Sequence, residues 1–265
     1  MLKSILLLIF GVVFLNAKIN IVVSIPPEES FVKEIGKDKV NVEVMVKPGN
    51  SPHTYEPKPS QMREISNAKI YFAIGVEFEK AWLPRFANQN RNLKIIDISK
   101  GVKRYGKDPH IWTSPKNILL IGKNIEKSLI ELDSKNLEFY EKNYKEFEKR
   151  VKDLQKRIKE ILKDTKDAKF MVFHPSWGYF AKEFGLKQLP IEIEGKSPKP
   201  KELIKIMKIA KKSGIKVIVT SPEFSDKAAR VIAKELKIRV IKISPLSQNL
   251  EQNLLLLARS IVGKE

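Results

Sequence analysis

The sequence predicts an α/β fold in which two Rossmann-like (β/α) lobes with mostly parallel sheets are joined by one long α-helix. Two observations lead to this prediction. Short β-branched runs alternate with segments of helical periodicity along both halves of the chain, which is the pattern of parallel α/β sheets. Between the halves, a highly charged stretch carries an unbroken apolar stripe with helical spacing.

The predicted strands fall into two groups of four. Those of the first half are residues 19–24, 40–46, 69–75 and 93–98. Those of the second half are residues 168–173, 188–193, 215–221 and 239–244. Helices are predicted between the strands, such as the one that begins after Pro200 and stops at Gly214. Because open parallel sheets bind ligands outside the carboxyl ends of their strands, we expect a functional site in the cleft between the lobes.

Residues 134–163 are predicted to form the connecting helix between a lobe of residues 18–133 and a lobe of residues 164–265. The stripe, in steps of three and four, consists of Leu137, Tyr140, Tyr144, Phe147, Val151, Leu154, Ile158 and Ile161. At 1.5 Å per residue, the segment would extend about 45 Å. Such a stripe either packs along both lobes or forms a coiled coil with a second chain. We expect a monomer, with dimerisation through this helix as the alternative.

Residues 1–17 have the pattern of a cleavable signal peptide. Lys3 precedes an apolar run from Ile5 to Leu15, and Ala17 ends a small-residue cleavage site. The run is shorter than the about 20 residues that cross a membrane, and the strand-like residues that follow disfavour a buried first helix. The chain contains no cysteine, so we expect neither disulfides nor a cysteine-linked lipid anchor. We therefore expect a soluble mature protein exported to the periplasm.

The formal net charge is +19, from 50 lysines and arginines against 31 aspartates and glutamates. A net charge this positive is typical of proteins that bind nucleic acid, which is therefore a possible partner. The lysines are, however, spread evenly and mixed with glutamates, as in residues 141–164, and no basic-aromatic motif accompanies them. The charge therefore indicates a solvated surface, and we expect no nucleic-acid partner.

The chain has only three histidines, and each stands next to a proline beyond the carboxyl end of a predicted strand. They are His53, His110 and His174. Neutral imidazole is a common zinc ligand, and a neighbouring proline limits the conformations of the backbone that holds the ring. Two interpretations follow. Either the three rings converge on one metal ion, or each is a loop residue with a satisfied hydrogen bond.

The sequence offers few signs of catalysis, and no catalytic residue is predicted. It lacks a glycine-rich phosphate loop, an H-E-x-x-H motif and a G-x-S-x-G elbow. Glu192 and Glu194 lie on one side of a predicted strand. We expect one of them to be exposed to solvent and the other to contact a metal-binding residue. We do not expect the two to act as a catalytic acid/base pair. Because three histidines and a water also describe a catalytic zinc site, a secreted zinc-dependent hydrolase remains an alternative.

Five segments resemble a known family, the metal-binding solute receptors of ABC importers for zinc and manganese (cluster A-I). In chain order they read KPGNSPHTYEPKPSQM, DPHIWTSPKN, LDSKNLEFYEKNYKEFEKRVKDL, FHPSWGYFAKEFGLKQLPIEIEGKSPKPKEL and TSPEFSDKAARVIAKEL. The resemblance covers essentially the whole chain after residue 17. It implies two lobes with a metal ion held between them, and delivery of that ion to a membrane permease without any catalysed reaction.

The resemblance also implies which residues bind the metal. His53, His110 and His174 match the ligand histidines of the family. A histidine at the third position favours zinc, because manganese receptors tend to carry glutamate there and manganese prefers more oxygen ligands. A manganese or iron receptor of the same family is the alternative, as is an adhesin that uses the metal only structurally.

Two departures from the family concern the fourth ligand. Ser244 stands where the family usually carries an aspartate, while Ser221 and Glu223 stand where it often has glutamate and glutamine. A neutral hydroxyl is a poor zinc ligand, so we expect water at the fourth position, with Glu223 as a possible substitute. The histidine-rich loop of many zinc receptors is also missing, since the equivalent residues 97–109 are short and basic.

Overall fold

A computed structural model describes residues 18–165, 167–193, 196 and 198–264. The predicted signal peptide, residues 1–17, lies outside the described residues, and so does Glu194. Among the described residues, no helix is both long enough and apolar enough to span a membrane.

The first lobe contains a parallel sheet of four strands in the order β2-β1-β3-β4. Its strands are β1 Ile19–Val23, β2 Val40–Val44, β3 Ile70–Ala73 and β4 Lys94–Asp97. Its helices are α1 Pro26–Gly36, α2 Pro59–Asn67, α3 Glu79–Gln89 and α4 Pro115–Leu132. All four predicted strands are confirmed, each slightly shorter than predicted. Ile21 of the central strand lies opposite Val42 on one side and Ile70 on the other.

The second lobe repeats this arrangement with a parallel sheet in the order β6-β5-β7-β8. Its strands are β5 Lys169–Val172, β6 Lys187–Pro190, β7 Val217–Thr220 and β8 Arg239–Lys242. Its helices follow the connecting helix α5, Leu137–Ile161. They are α6 Gly178–Glu183, α7 Pro200–Lys212, α8 Lys227–Leu236 and α9 Leu250–Val262. The two sheets confirm the predicted α/β fold with two parallel-sheet lobes.

Strand β6 differs from the predicted range of residues 188–193, since it begins and ends earlier. It ends at Pro190, a residue that an edge strand such as β6 tolerates because its nitrogen need not donate to a neighbour. The chain nevertheless continues beside β5, because the N–H groups of Ile191 and Glu192 donate to the carbonyls of Val172 and Phe173 at 2.8 and 3.0 Å. This continuation brings Glu192 to the carboxyl end of β5.

The long helix α5, Leu137–Ile161, lies within the predicted range of residues 134–163. It begins later because Ser134–Asn136 form a separate 3-10 turn. The apolar stripe of α5 is buried from Tyr140 to Ile158, and the helix packs against α1, α4 and α9. The stripe is therefore covered within this chain instead of forming the seam of a coiled coil. The lobe boundaries at residues 133 and 164 stay predictions.

A close approach between α4 and α5 occurs at Gly122. A Cβ atom added there would lie only 2.4 Å from the ring of Phe147 on α5. Phe147 is itself buried, with 2% of its surface exposed. The absence of a side chain at Gly122 thus allows the two helices to pack with the aromatic ring between them.

One hydrophobic core runs from the first sheet along α5 to one face of the second sheet, where it includes Phe170 and Val172 of β5. Met171 and Phe173, which alternate with them, belong to a smaller core on the opposite face. This alternation follows from the two-residue period of a strand. Because the lobes share the larger core, moving them apart would expose apolar surface, and a rigid cleft is expected.

Candidate metal centre

The three histidines lie where the carboxyl ends of the two sheets face each other. His53 follows β2, in a loop that turns at Gly49 with a φ of +84°. His110 directly precedes a 3-10 turn, Ile111–Thr113, that leads into α4. The start of α4 is fixed locally, because Pro115 takes its first position and the Ser114 hydroxyl accepts a hydrogen bond from the N–H of Asn117 at 3.3 Å.

His174 lies two residues beyond the end of β5. It completes a group of three imidazoles, with His53 and His110, in which one nitrogen of each ring lies within 4.8 Å of the others. The Nε2 atoms of His53 and His174 are 3.2 Å apart. Among the described residues, this is the group of histidine and acidic side chains with the geometry of a metal site. The structure thus brings together the three residues that the sequence singled out.

Each ring has a carboxylate behind it, on the side away from the centre. Nδ1 of His110 lies 2.7 Å from Asp108, and Nδ1 of His174 lies 3.1 Å from Glu192. Nδ1 of His53 contacts Glu77. A carboxylate at Nδ1 holds the ring proton there and leaves the lone pair on Nε2, which is the arrangement typical of metal-binding histidines.

The three carboxylates differ in how far the sequence alone reveals them. Glu192, one acid of the pair noted in the sequence, lies at Nδ1 of His174, and its support of a metal ligand stays a prediction. The sequence alone assigns no role to Asp108, although its position two residues before His110 is a usable signal. Asp108 also accepts a hydrogen bond from the N–H of His110, at 2.9 Å. Glu77 gave no signal, since it lies 24 residues from His53.

The buried surroundings of His174 keep its ring neutral. Burial, and next the positive charges that His110 and His53 would carry, together lower the pKa of His174 from 6.5 to about 3. Burial also raises the pKa of Glu192, an effect that His53 opposes. Because metal ligation requires an unprotonated imidazole, the ring of His174 is in the ligating form throughout the neutral range.

Aromatic side chains hold two of the rings in place. Phe224 stacks on His174 with ring centroids 4.4 Å apart and an angle of 23° between the planes. The ring of Trp112 lies 5.3 Å from that of His110, and its indole N–H donates to the carbonyl of Pro245 at 2.8 Å. Trp112 and Trp177 are both buried, as a packing role requires.

The two candidates for a fourth ligand contact each other. The hydroxyl of Ser244 donates to Oε1 of Glu223 at 2.5 Å. The second oxygen of Glu223, Oε2, is buried and has no hydrogen-bond partner. Glu223 lines a cavity of about 10 Å³ between the three histidines, and Ser244 does not. A cavity of this size holds about one water molecule.

Comparison with known proteins agrees with this geometry. The family described as ZnuA, the periplasmic component A of the zinc-uptake complex, matches residues 21–258. The chain belongs to this family. Its members are receptors and not enzymes, so the ZnuA family supports the prediction that no reaction is catalysed.

Individual members of the ZnuA family show how far the similarity extends. The high-affinity zinc uptake system protein ZnuA of Bacillus subtilis is 30% identical over 242 residues, which cover 83% of this chain and 76% of that protein. The zinc-binding protein AdcA of Streptococcus pyogenes is 25% identical, but this chain spans only 52% of its length. A crystal structure of ZnuA superposes with a TM-score of 0.89 at 38% identity, covering 94% of this chain and 99% of that one.

The histidine cluster is reached through a larger cavity of about 840 Å³. Its wall includes the three histidines and their three carboxylates, with Lys107 and Thr54 nearer the surface. An ion can therefore approach the imidazoles past negatively charged groups. This cleft lies between the lobes, at the carboxyl ends of the parallel strands, where a ligand site is expected.

Proposed function

We propose that this chain is a periplasmic receptor that captures Zn²⁺ with His53, His110 and His174 and delivers it to an ABC import permease. The observation that carries the proposal is the spacing of the imidazole nitrogens. In a tetrahedral zinc site with Zn–N distances of about 2.0–2.1 Å, two ligand nitrogens lie roughly 3.3 Å apart. Nε2 of His53 and Nε2 of His174 are 3.2 Å apart.

The ligand chemistry supports zinc over manganese. Three imidazoles are a nitrogen-rich set that suits zinc, whereas manganese prefers carboxylate, carbonyl and water oxygens. The carboxylates of Asp108 and Glu192 approach the Nδ1 atoms from behind, where they orient the rings and do not add oxygen ligands. A manganese receptor of the same family is the alternative function.

For the fourth position we propose a water molecule, with Glu223 as the protein group able to replace it. The small cavity beside the three rings has room for a water. The Oε2 atom of Glu223, which has no hydrogen-bond partner, supports Glu223 as the replacement for this water. A buried carboxylate oxygen without a hydrogen bond gains from contact with a cation. The bond from Ser244 to Oε1 would then orient the carboxylate.

Export, delivery and the monomeric state complete the proposal. We propose that residues 1–17 direct the chain to the periplasm and are removed there, and that one chain binds one Zn²⁺. Handing the ion to a permease follows from the role of the ZnuA family in zinc uptake. Zinc uptake by cells that lack their own receptor should be restored by this chain and not by its His110→Ala variant.

The experiment that tests capture is a competition titration of the metal-stripped mature protein with Zn²⁺ and Mn²⁺. One equivalent of tightly bound Zn²⁺ with much weaker Mn²⁺ is expected. His110→Ala should lose most of the zinc affinity, while the control Asn50→Ala, in the exposed turn before His53, should keep it. Equal or tighter Mn²⁺ binding would indicate a manganese receptor instead. Binding of neither metal would refute both the zinc receptor and the manganese receptor.

A further inference from the structure

A second cavity, of about 800 Å³, lies apart from the histidines at the junction of the two lobes and α5. We call it the lysine–tyrosine groove and define it by Lys103, Tyr105, Lys116, Lys123, Tyr179 and Lys182. Its wall shares no residue with either cavity beside the histidines. The groove is therefore a separate feature, and the zinc proposal does not use it.

The groove has an excess of positive charge that the described residues do not neutralise. In the described part of the structure, Lys103, Lys116 and Lys182 form no ion pair with a carboxylate, and Lys123 pairs with Glu126 at 2.5 Å. Among the described residues that line the groove, Glu183 is the acidic one. Three lysines that line one cavity thus have no carboxylate partner among the described residues.

Glu183 is already engaged by hydrogen bonds from the protein. Its Oε2 accepts from the Ser114 hydroxyl and from the N–H of Lys116 at 3.1 Å. Its Oε1 accepts from Gln155 at 2.6 Å. The carboxylate is therefore directed into the structure, where it joins α6 to α4 and α5, and it is not free to turn toward the lysines.

Hydrogen bonds of Tyr179 tie the wall of the groove to the loop before His110. Tyr179 is 2% exposed. Its hydroxyl accepts from the N–H of Tyr105 at 3.1 Å and donates to the carbonyl of Asp108 at 3.3 Å. The ammonium of Lys182 lies 3.5 Å from the centroid of the Tyr105 ring, a cation–π contact that holds it over the groove.

We propose that the lysine–tyrosine groove binds a small polyanion with two or more carboxylate or phosphate groups. Ammonium groups offer compact positive charge to oxyanions, and three of them here have no internal counter-charge. The volume is in the range of small-molecule sites, and it is bounded by three parts of the fold. Binding requires neither the metal nor the histidines, so it goes beyond the proposed zinc receptor.

Calorimetric titration of the metal-stripped protein with citrate and with pyrophosphate, at fixed ionic strength, tests the proposal. One equivalent of at least one of them should bind. The Lys116→Gln/Lys182→Gln variant should lose about tenfold or more in affinity, because charge-assisted contacts are removed. The control Lys142→Gln/Lys145→Gln removes the same charge from exposed positions on α5 and should bind nearly as well as the unaltered protein.

The titrations distinguish a specific site in the groove from diffuse attraction to a basic surface. Preference for citrate or for pyrophosphate would identify the groove as a carboxylate or a phosphate site. No saturable binding of either probe, or equal losses in both variants, would overturn the proposal by showing only diffuse attraction to a basic surface. Zinc titration of the groove variant should be unchanged, which shows that it is folded. If that variant does not fold, Lys103→Gln provides the same comparison with a single exposed side chain.

Discussion

Nδ1 of His174 lies 3.1 Å from the carboxylate of Glu192, a residue 18 positions further along the chain. The contact forms because the chain continues beside β5 after β6 ends. It holds the proton of the imidazole on Nδ1 and directs Nε2 toward the other two histidines. The properties of this buried pair lead to the first three predictions.

Replacing Glu192 with glutamine should weaken zinc binding without removing a ligand. The amide can still accept the hydrogen bond but carries no charge, so the basicity of His174 falls. Loss of such a partner behind a ligand costs about 10–100-fold in metal affinity, and the conservative Glu192→Gln change should lie near tenfold. Zinc competition titration measures the effect. The exposed Glu235→Gln serves as the control, and equal affinities in both variants would contradict the role of Glu192.

Zinc should raise the thermal stability of the protein only when His174 is present. A ligand that binds the folded state alone stabilises it by about 2.7 kcal/mol at 100 times its Kd. The unaltered protein should therefore melt at a higher temperature with Zn²⁺, and His174→Ala should show little change. Calorimetric melting with and without Zn²⁺ decides this. An undiminished zinc shift in the variant would place the ion elsewhere.

The stability of the metal-free protein should fall in acid because of His174. Its pKa is lowered from 6.5 to about 3 in the folded state, so the unfolded chain binds the extra proton between these values. The contribution is fully present above pH 6.5 and is lost as the pH falls toward 3. Relative to His174→Gln, the loss should be up to about 1.4 kcal/mol per pH unit. Urea unfolding at several pH values measures it, and a constant difference from pH 6.5 to 4 would disprove it.

Glu28 should have the opposite pH dependence. It is fully buried, and its Oε2 accepts from the N–H groups of Ser24 and Ile25 while Oε1 has no partner. Burial, and next the charge of Glu79, raise the pKa of Glu28 well above its ordinary value of 4.5. Because the folded state holds this proton more tightly, the stability that Glu28 contributes is lost as the pH rises above 4.5.

The Glu28→Gln variant should therefore become more stable than the unaltered protein as the pH rises. Glutamine keeps an acceptor for the two N–H groups and never ionises. The advantage should grow by up to about 1.4 kcal/mol per pH unit above 4.5 while Glu28 stays protonated. Chemical unfolding between pH 4.5 and 8 tests this, with the exposed Glu131→Gln as control. A variant that is less stable at pH 8 would contradict the raised pKa.

Replacing Gly122 with alanine should destabilise the protein, although alanine favours helices. The helix propensity gain is about 1 kcal/mol, but the new Cβ would lie 2.4 Å from the buried Phe147 ring. Overpacking of this kind costs about 1–3 kcal/mol, so the net change should be a loss of up to about 2 kcal/mol. Denaturant unfolding measures it, and the exposed Lys127→Ala on the same helix is the control. A stabilised Gly122→Ala would show that α4 and α5 adjust freely.

The sequence by itself determined the features that depend on neighbouring residues. Strands such as β1 and β7 could be predicted because β-branched runs favour a pleated, buried backbone. The helix around Phe147 followed from a stripe with helical spacing. The three histidines could be selected because each combines a rare side chain with a proline beyond a strand. The resemblance to a receptor family predicts that they bind one metal ion together.

Only the tertiary structure decided which groups meet across long separations in the chain. Nothing local pairs His53 with Glu77 or links Ser244 to Glu223, since these contacts depend on how the loops of each lobe are folded together. The position of Glu192 depends on the backbone beyond β6, where the N–H groups of Ile191 and Glu192 donate to the carbonyls of Val172 and Phe173. The groove around Tyr179 exists because both lobes and α5 meet there, and shape of that kind is created by packing and not by any single segment.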